Sequence, residues 1–320
     1  MEIKESQYDF SEMHQRMQFY VDAGILPCCA TAVFKGTDLV DHQTFGFMDL
    51  ETREPLRDDA IYRMASNTKL VTSVALMMLQ EEGLFELDDP LAKFIPEFGE
   101  LQVLQPDAAT AADVHPAKNL ISIRHLLSHS AGLSYGFVEP DSVIDQCYLN
   151  GGVSGLGEKD IDLEELCAGI AKLPLAFEPG TSWRYSFATD VCARLVEVLS
   201  GQSFDAFLRQ RIFDPLGMVD TDFWVPQEKA HRLITMYSPE DLFDPMKPGL
   251  NKAGDVITGP YHARPKMLSG GGGLVSTVAD YSAFLRMIVN DGEWSGAQLL
   301  KPETLKLMRS NHLADGVQVA

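Results

Sequence analysis

Residues 64–83 read Met-Ala-Ser-Asn-Thr-Lys-Leu-Val-Thr-Ser-Val-Ala-Leu-Met-Met-Leu-Gln-Glu-Glu-Gly, and the rest of the chain is interpreted around them. Apolar side chains fill most of the positions after Lys69, which predicts a buried helix over residues 68–82 that Gly83 ends. Ser66 and Lys69 stand three residues apart at the start of this helix, so their side chains lie on one face and meet.

This pair has a catalytic and a structural interpretation. The partial positive charge of a helix N-terminus favours a developing serine alkoxide, and a neutral lysine beside it can take the serine proton. The structural alternative is that Ser66 caps the helix and Lys69 is solvated, because Ser-x-x-Lys alone arises by chance in many long chains. The apolar helix that follows would bury the lysine stem, which favours the catalytic interpretation.

A second stretch, residues 178–190, reads Glu-Pro-Gly-Thr-Ser-Trp-Arg-Tyr-Ser-Phe-Ala-Thr-Asp and precedes another predicted helix. A turn that delivers Tyr185 into a cleft would let its phenol act as a base or proton relay near a lysine. The alternative is a turn tyrosine that packs on Trp183. On these residues alone, the alternative is favoured.

A third stretch, residues 268–277, reads Leu-Ser-Gly-Gly-Gly-Gly-Leu-Val-Ser-Thr. No Gly-Lys-Ser/Thr follows the glycines, so a phosphate-binding loop is not indicated. Close packing of the backbone against a cleft, with a hinge before the next helix, is the interpretation that fits glycine.

Composition narrows the class of protein. The 320 residues contain 26 Lys and Arg against 46 Asp and Glu, a formal net charge of −20, which argues against nucleic-acid and anionic-membrane partners. Neither a metal nor a cofactor is predicted from the eight histidines. His125 and His129 would share one face of a predicted helix over residues 123–130, as capping or buried structural residues.

The cellular location is predicted from the apolar runs, the N-terminal residues and the cysteines. No apolar run is long enough to span a bilayer, and the acidic N-terminal residues do not resemble a secretory signal. The five cysteines lack metal-type spacing and fit reduced, buried thiols. We therefore expect a cytoplasmic protein.

Secondary structure is predicted from periodicity and turn residues. Strands are expected over residues 28–34 and 40–48, joined by a tight turn over 35–38. Segments 99–119, 136–159 and 232–261 are expected to be polar or irregular. Further helices are expected over residues 11–23, 163–173, 188–200, 204–213, 277–290 and 302–310. Two strands cannot cover that many apolar helix faces, so more strands must come from the irregular segments or lie beyond residue 320.

The order of these motifs resembles that of the class C β-lactamase-related serine hydrolases. Residues 66–90 resemble the family's nucleophile helix, 123–133 its histidine-containing loop, 177–186 its tyrosine motif, and 269–285 its glycine segment and following helix. The likeness runs over nearly the whole chain and is greatest to the family VIII carboxylesterases.

The resemblance implies an α/β fold of the α+β type, β-lactamase/penicillin-binding-protein-like, with an antiparallel sheet flanked by helices and an all-helical lobe. One catalytic domain over 1–320 would comprise an α/β lobe (1–75 and 266–320) and a helical lobe (76–265), with the site in the cleft between them. The catalytic residues would be Ser66, Lys69 and Tyr185. Tyr135, Phe187, Gly271 and Gly272 are candidates for the substrate cleft.

Two departures from the family pattern matter. The β-lactamase motif is Tyr-x-Asn, but position 187 is Phe, which favours an esterase. The C-terminal strands of the family, with their Lys-Thr-Gly-type motif and an oxyanion donor, are not found in the sequence.

Three hypotheses about activity remain open. The first is a serine carboxylesterase that acts through an acyl-enzyme on a small or medium ester. The second is a β-lactamase or D-amino-acid peptidase, and the third is an inactive or fragmentary binding protein of the same fold. The expected partner is a small-molecule ester, and a homo-oligomer is left open.

Overall fold

The computed structural model describes residues 2–4, 7–153, 160–253 and 261–319, and the statements that follow concern these residues. A 3-10 turn, Ala65–Asn67, precedes the second helix, and a π-helical turn, Arg209–Phe213, follows the seventh. The α-helices are α1 (Ser11–Asp22), α2 (Thr68–Glu81), α3 (Ile123–Leu127), α4 (Val143–Asn150), α5 (Leu163–Ile170), α6 (Ala188–Ser200), α7 (Phe204–Leu208), α8 (Asp214–Leu216), α9 (Val278–Val289) and α10 (Pro302–Met308).

The strands pair in five small sheets, and every named strand pair among the described residues is antiparallel. One sheet has three strands in the order β1-β2-β3, and the others are the pairs β4-β9, β5-β6, β7-β8 and β10-β11. Their bounds are β1 (Cys28–Lys35), β2 (Asp38–Asp49), β3 (Glu54–Pro55), β4 (Tyr62–Arg63), β5 (Gln102–Leu104), β6 (Val114–Pro116), β7 (Tyr237–Pro239), β8 (Leu250–Lys252), β9 (Val275–Ser276), β10 (Glu293–Trp294) and β11 (Ala297–Gln298).

The β1-β2 hairpin confirms the two strands predicted from alternation. Lys35 pairs with Asp38, so Gly36 and Thr37 form a two-residue turn. Gly36 has a φ of 60°, a conformation that glycine adopts without steric cost and that two-residue hairpin turns require. The register shifts by one residue after Val33, which marks a bulge in the hairpin.

Helices α2 and α6 also match their predicted positions and pack against each other. Nine residues of α2 are buried, among them Val71, Val74 and Leu76 with no exposed surface. Gly201 ends α6 in the left-handed conformation, at φ 70°, which is a common helix stop. No helix in the described parts of the chain has both the length and the apolar character needed to cross a membrane.

The chain forms two compact units. The first comprises Met1–Arg63, Phe213–Arg264 and Val275–Gln298, and it contains every sheet except the β5-β6 pair. The second is mainly helical and comprises Met64–Ile212, Pro265–Leu274 and Leu299–Ala320. The lobes implied by the resemblance, 1–75 with 266–320 and 76–265, divide the chain differently and stay a prediction.

Three segments predicted to be polar or irregular contain regular elements instead. Residues 99–119 include the β5-β6 hairpin, in which Val103 and Leu104 are buried. Leu175 adds to this hairpin, since its backbone N–H donates to Gln102 and its carbonyl accepts from Leu104. Strands of three residues are too short to show alternation, so the polar residues around them dominated the prediction.

Residues 136–159 were predicted to be irregular, but they contain α4, which Ser142 caps by accepting a hydrogen bond from the Asp145 N–H. The glycines that flank this short helix masked its pattern. Residues 232–261 were predicted to be loop and contain the β7-β8 hairpin. Residues 154–159 and 254–260 of these two predictions lie outside the described residues.

Helix α6 offers a matched test of where the packing energy lies. Val196 has no exposed surface and Val198 is 39% exposed, yet both occupy the interior of the same helix. Replacement of valine by alanine alters the helix propensity equally at both positions, so the effect of propensity on stability cancels when the two variants are compared. We expect Val196→Ala to lower the free energy of unfolding by about 2 kcal/mol more than Val198→Ala.

Urea denaturation followed by circular dichroism measures this difference. Equal midpoints for the two variants would show that Val196 is not part of a closely packed core.

Candidate active site

Ser66 lies in the 3-10 turn that leads into α2, and it is exposed. The turn is fixed at both ends by the backbone of Leu274. The Met64 N–H donates to the Leu274 carbonyl at 2.8 Å, and the Leu274 N–H donates to Thr68 Oγ1 at 3.2 Å. Between these anchors Ala65 adopts φ 43°, the left-handed region that alanine rarely occupies. The backbone that presents Ser66 is therefore constrained on both sides.

The structure brings Ser66, Lys69 and Tyr185 together. Ser66 Oγ and Tyr185 OH share a hydrogen bond of 2.6 Å although 119 residues separate them in sequence. Lys69 Nζ donates to Ser66 Oγ at 3.3 Å and lies 4.5 Å from the centroid of the Tyr185 ring. A hydroxyl, an amine and a phenol thus meet at the N-terminus of α2, where an amine and a phenol are within reach of the serine proton.

The glycine segment, residues 269–273, forms the next layer of this cluster. Lys69 Nζ donates to the Gly271 carbonyl at 2.6 Å, and Thr72 Oγ1 donates to the Gly270 carbonyl at 2.8 Å. A Cβ on Gly270 would lie 2.6 Å from the Ala193 Cβ, so only glycine allows this approach. The backbone here is held by close packing rather than free to act as a hinge.

Asp190 on α6 is a member of the site that sequence reasoning missed. Its Oδ1 accepts hydrogen bonds from Ser269 Oγ at 2.6 Å and from the Gly271 N–H at 3.0 Å. Burial raises the pKa of Asp190, which is 1% exposed, while these two hydrogen bonds and the charge of Lys69 act in the opposite direction. Asp190 ended the quoted tyrosine stretch, but nothing local in sequence linked it to the glycines.

Tyr135 and Phe187 pack around Tyr185. The ring centroid of Tyr135 lies 5.4 Å from that of Tyr185 and 4.5 Å from that of Phe187. Burial first, and the charge of Asp190 second, raise the pKa of Tyr135 well above its ordinary value, so its hydroxyl stays protonated. Tyr135 and Phe187 are only 5% and 4% exposed, and their contact with a substrate stays a prediction.

The remaining cleft candidates lie in the glycine segment. Gly271 is buried, with its N–H and carbonyl committed to Asp190 and Lys69. Gly272 is half-buried, and its nearest neighbour is the backbone of Ala65, 3.8 Å from an added Cβ. Gly272 is thus the glycine that lies directly against the turn that carries Ser66.

A buried ion pair fixes the residue before Tyr185. Arg184 donates to Asp145 Oδ1 at 3.0 Å, to Glu139 at 2.6 Å and to Ser134 Oγ at 2.7 Å. The Asp145 side chain has no exposed surface, so this ion pair is buried on its acidic side. The guanidinium joins the loop that carries Tyr135 to the turn that carries Tyr185.

The two histidines have structural roles of different kinds. His125 caps α3 reciprocally with Ser122, as predicted. His129 lies after the end of α3, not on its face as expected, with its ring 5.1 Å from that of Tyr185. Burial, helped by the charge of Lys69, lowers the pKa of His129 to about 4, so it is neutral at pH 7.

Metal ligation has no candidate residues in the described ranges, where no group of three or more His, Cys, Asp or Glu side chains converges. The five cysteines, all described, are free thiols.

Comparison with known proteins identifies relatives over most of the chain. A family model described as Beta-lactamase matches residues 13–320. Protein Rv1367c of Mycobacterium tuberculosis is 35% identical over 295 residues, which cover 92% of this chain and 70% of that protein. The lovastatin esterase of Penicillium rubens is 34% identical over 267 residues, which cover 82% of this chain and 62% of the esterase.

A solved structure extends the comparison to three dimensions. That of EstCE1, described as a hydrolase with promiscuous acyltransferase activity, matches with a TM-score of 0.80 at 24% identity, and covers 95% of this chain and 77% of that one. The match confirms the β-lactamase/penicillin-binding-protein-like fold that the motifs predicted. Since the family model covers nearly the whole sequence, the chain belongs to the β-lactamase family.

Proposed function

We propose that this chain is a serine hydrolase that cleaves small or medium carboxylic esters through an acyl-enzyme on Ser66. The observation that carries the proposal is the hydrogen-bonded group of Ser66, Tyr185 and Lys69 at the start of α2. The curated relatives support the reaction class, because they include the lovastatin esterase. Position 187 supports an ester over a β-lactam, because phenylalanine offers no amide to a β-lactam side chain.

The proposed reaction begins with attack of Ser66 Oγ on the ester carbonyl carbon. The serine proton passes to the pair formed by Lys69 and Tyr185, both within hydrogen-bond reach of Oγ. The Ser66 N–H, at the N-terminus of α2, is one donor to the oxyanion of the tetrahedral intermediate. Its collapse expels the alcohol, which takes the proton, and water then hydrolyses the acyl-enzyme by the reverse transfers.

Lys69 is oriented for this role by the glycine segment. Its Nζ donates to the Gly271 carbonyl, which leaves the other positions of the nitrogen directed at Ser66 and the Tyr185 ring. A flexible lysine side chain held at three points loses little further entropy when the proton moves. The glycine segment thus contributes to the reaction by fixing the position of the Lys69 amine.

Acyl transfer to an alcohol is a second candidate, because the structurally similar EstCE1 is described with that activity. Ser66 is exposed, so its acyl-enzyme would be open to an alcohol as well as to water. Hydrolysis and transfer share every step up to deacylation. Product analysis of p-nitrophenyl butyrate turnover, with and without added alcohol, separates them.

A cytoplasmic location and self-association belong to the proposal as well. The free thiols are those expected of a reducing compartment. One structurally similar protein, from Pyrococcus abyssi, is described as octameric, and sedimentation of this chain would test whether it too associates.

Replacement of the proposed nucleophile gives the first functional prediction. Ser66→Ala should abolish p-nitrophenyl butyrate turnover and covalent labelling by a fluorophosphonate, because it removes the hydroxyl that is hydrogen-bonded to both Lys69 Nζ and Tyr185 OH. Ser200→Ala, on α6, is the control and should keep both.

Labelling of Ser66→Ala at full stoichiometry would remove Ser66 from this role. Turnover of a chromogenic cephalosporin faster than of the ester would favour a β-lactamase instead.

The proton-transfer pair gives the next prediction. Lys69→Ala and Tyr185→Phe should each lower kcat by about a hundredfold or more, with smaller changes in KM. The double variant should lose little more than either single one, because both groups serve one proton transfer. Steady-state kinetics on the four proteins measures this coupling. Losses that multiply in the double variant would show that the two residues act independently.

Asp190 is a positioning residue in this mechanism. Asp190→Ala removes the acceptor that holds Gly271 and should lower kcat about a hundredfold, with KM nearly unchanged. Asp190→Asn keeps an acceptor oxygen at Oδ1, so its kcat should stay within about tenfold of the wild type. Equal losses in both variants would show that the charge of Asp190, and not its hydrogen bonds, is needed.

The stability of the Asp190→Asn variant shows whether the negative charge of Asp190 stabilises or destabilises the fold. Because burial raises the pKa of Asp190 above its unfolded value, its ionisation costs stability, and that cost appears as pH rises through the folded pKa. Asp190→Asn should therefore unfold at no lower temperature than the wild type at pH 7. A lower melting temperature would mean that the ionised carboxylate stabilises the fold.

A further inference from the structure

A cavity of about 320 Å³ lies against α2 in the second unit, and we call it the α2 chamber. Its walls come from five parts of the chain. Leu70, Ser73 and Met77 of α2 form one wall, and Trp183, from the tyrosine turn, forms another. Arg124 and Leu127 of α3, the following Ser128, Leu87, and residues between Leu307 and Val319 complete the lining.

The α2 chamber follows the face of α2 that begins at Ser66. Leu70, Ser73 and Met77 come four, seven and eleven residues after Ser66, the spacing that keeps side chains on one helix face. Leu70 also directly follows Lys69 in sequence. A molecule bound covalently to Ser66 would thus find the α2 chamber along the same face of the helix.

A second wall of the α2 chamber adjoins the proposed catalytic group. The Trp183 ring centroid is 6.5 Å from that of Tyr185 and 6.2 Å from that of His129. Ser128, which lines the chamber, is the residue before His129. Two walls of the cavity therefore contain a residue close to the proposed catalytic group: Leu70, which follows Lys69 in sequence, and Trp183, whose ring lies near that of Tyr185.

The chemistry of the lining favours an apolar occupant. Nine of its fifteen residues are apolar, and its polar groups already have partners. Ser73 Oγ donates to the Lys69 carbonyl, and Arg124 binds both oxygens of Asp88 and one nitrogen of His312. An anionic ligand would have to compete with Asp88 for this guanidinium. No charged group of the lining is left to pair with a ligand charge.

The volume sets the size of that occupant. About 320 Å³ lies at the small end of ligand pockets and corresponds to roughly ten groups of the size of a water molecule. An aliphatic chain of medium length fits within this volume. We infer that the α2 chamber binds the aliphatic acyl chain of the ester, an inference that rests on the proposed function.

Leu70 offers a way to fill the α2 chamber, and Leu84 offers a matched control. The two leucines are 36% and 42% exposed, both in the second unit, but Leu84 lies outside the lining. For Leu70→Trp, the ratio of kcat/KM on p-nitrophenyl octanoate to that on the acetate should fall about ten- to a hundredfold. For Leu84→Trp, the ratio should stay at the wild-type value.

A second variant protects the test against misfolding. Leu313→Trp enters the α2 chamber from a part of its lining outside α2, and it should lower the same ratio if Leu70→Trp fails to fold. A fall in octanoate and acetate turnover by the same factor in both variants would overturn the inference. So would a wild-type enzyme that shows no preference between the two chain lengths.

Binding without turnover distinguishes failure of the inference from failure of the proposed function. Methyl 8-bromooctanoate, added to Ser66→Ala, should quench tryptophan fluorescence, and Trp183→Phe should remove most of that quenching. Quenching without ester turnover by the wild type would retain the chamber and reject the esterase. Turnover without quenching, and with no change in chain-length preference, would reject the chamber alone.

Discussion

The hydrogen bonds that the Asp190 carboxylate accepts from the glycine segment are the constraint on which the rest of the site depends. They place the Gly271 carbonyl where it receives Lys69 Nζ, and Lys69 in turn reaches Ser66. A buried carboxylate is costly without partners, so the glycine backbone and Asp190 hold each other in place. Two helices and one backbone segment are thereby locked into a single arrangement.

Much of the local structure could be predicted from the sequence because its signals are local. The helix that carries Lys69 and the helix that ends at Gly201 have long apolar faces with clear stops, and the first hairpin has alternation and a glycine turn. Ser66 and Lys69 could be paired because helix geometry alone brings residues three apart together. The place of Tyr185 beside them followed from the resemblance to a family, since nothing in its spacing reports a contact across 119 residues.

What the sequence could not reveal depends on contacts between distant segments. The carboxyl group of Asp190 and the guanidinium of Arg184 take their roles from partners 79 and 39 residues away. Neither residue was assigned a role from the sequence. Helix α4 and the β5-β6 hairpin were missed for another reason. Both are too short to show a periodic pattern, and they are stabilised by contacts that the local sequence does not reveal.

Ala65 links the orientation of Ser66 to the stability of the whole molecule. A non-glycine residue at φ 43° carries a conformational cost on the order of 1–3 kcal/mol, which the anchors on Leu274 must offset. Glycine at this position would adopt the same φ freely, yet it would also leave the turn free to adopt others. The alanine methyl group therefore restricts the directions in which the Ser66 side chain can point. The conformational cost at Ala65 lowers the free energy of unfolding, which is small in most proteins.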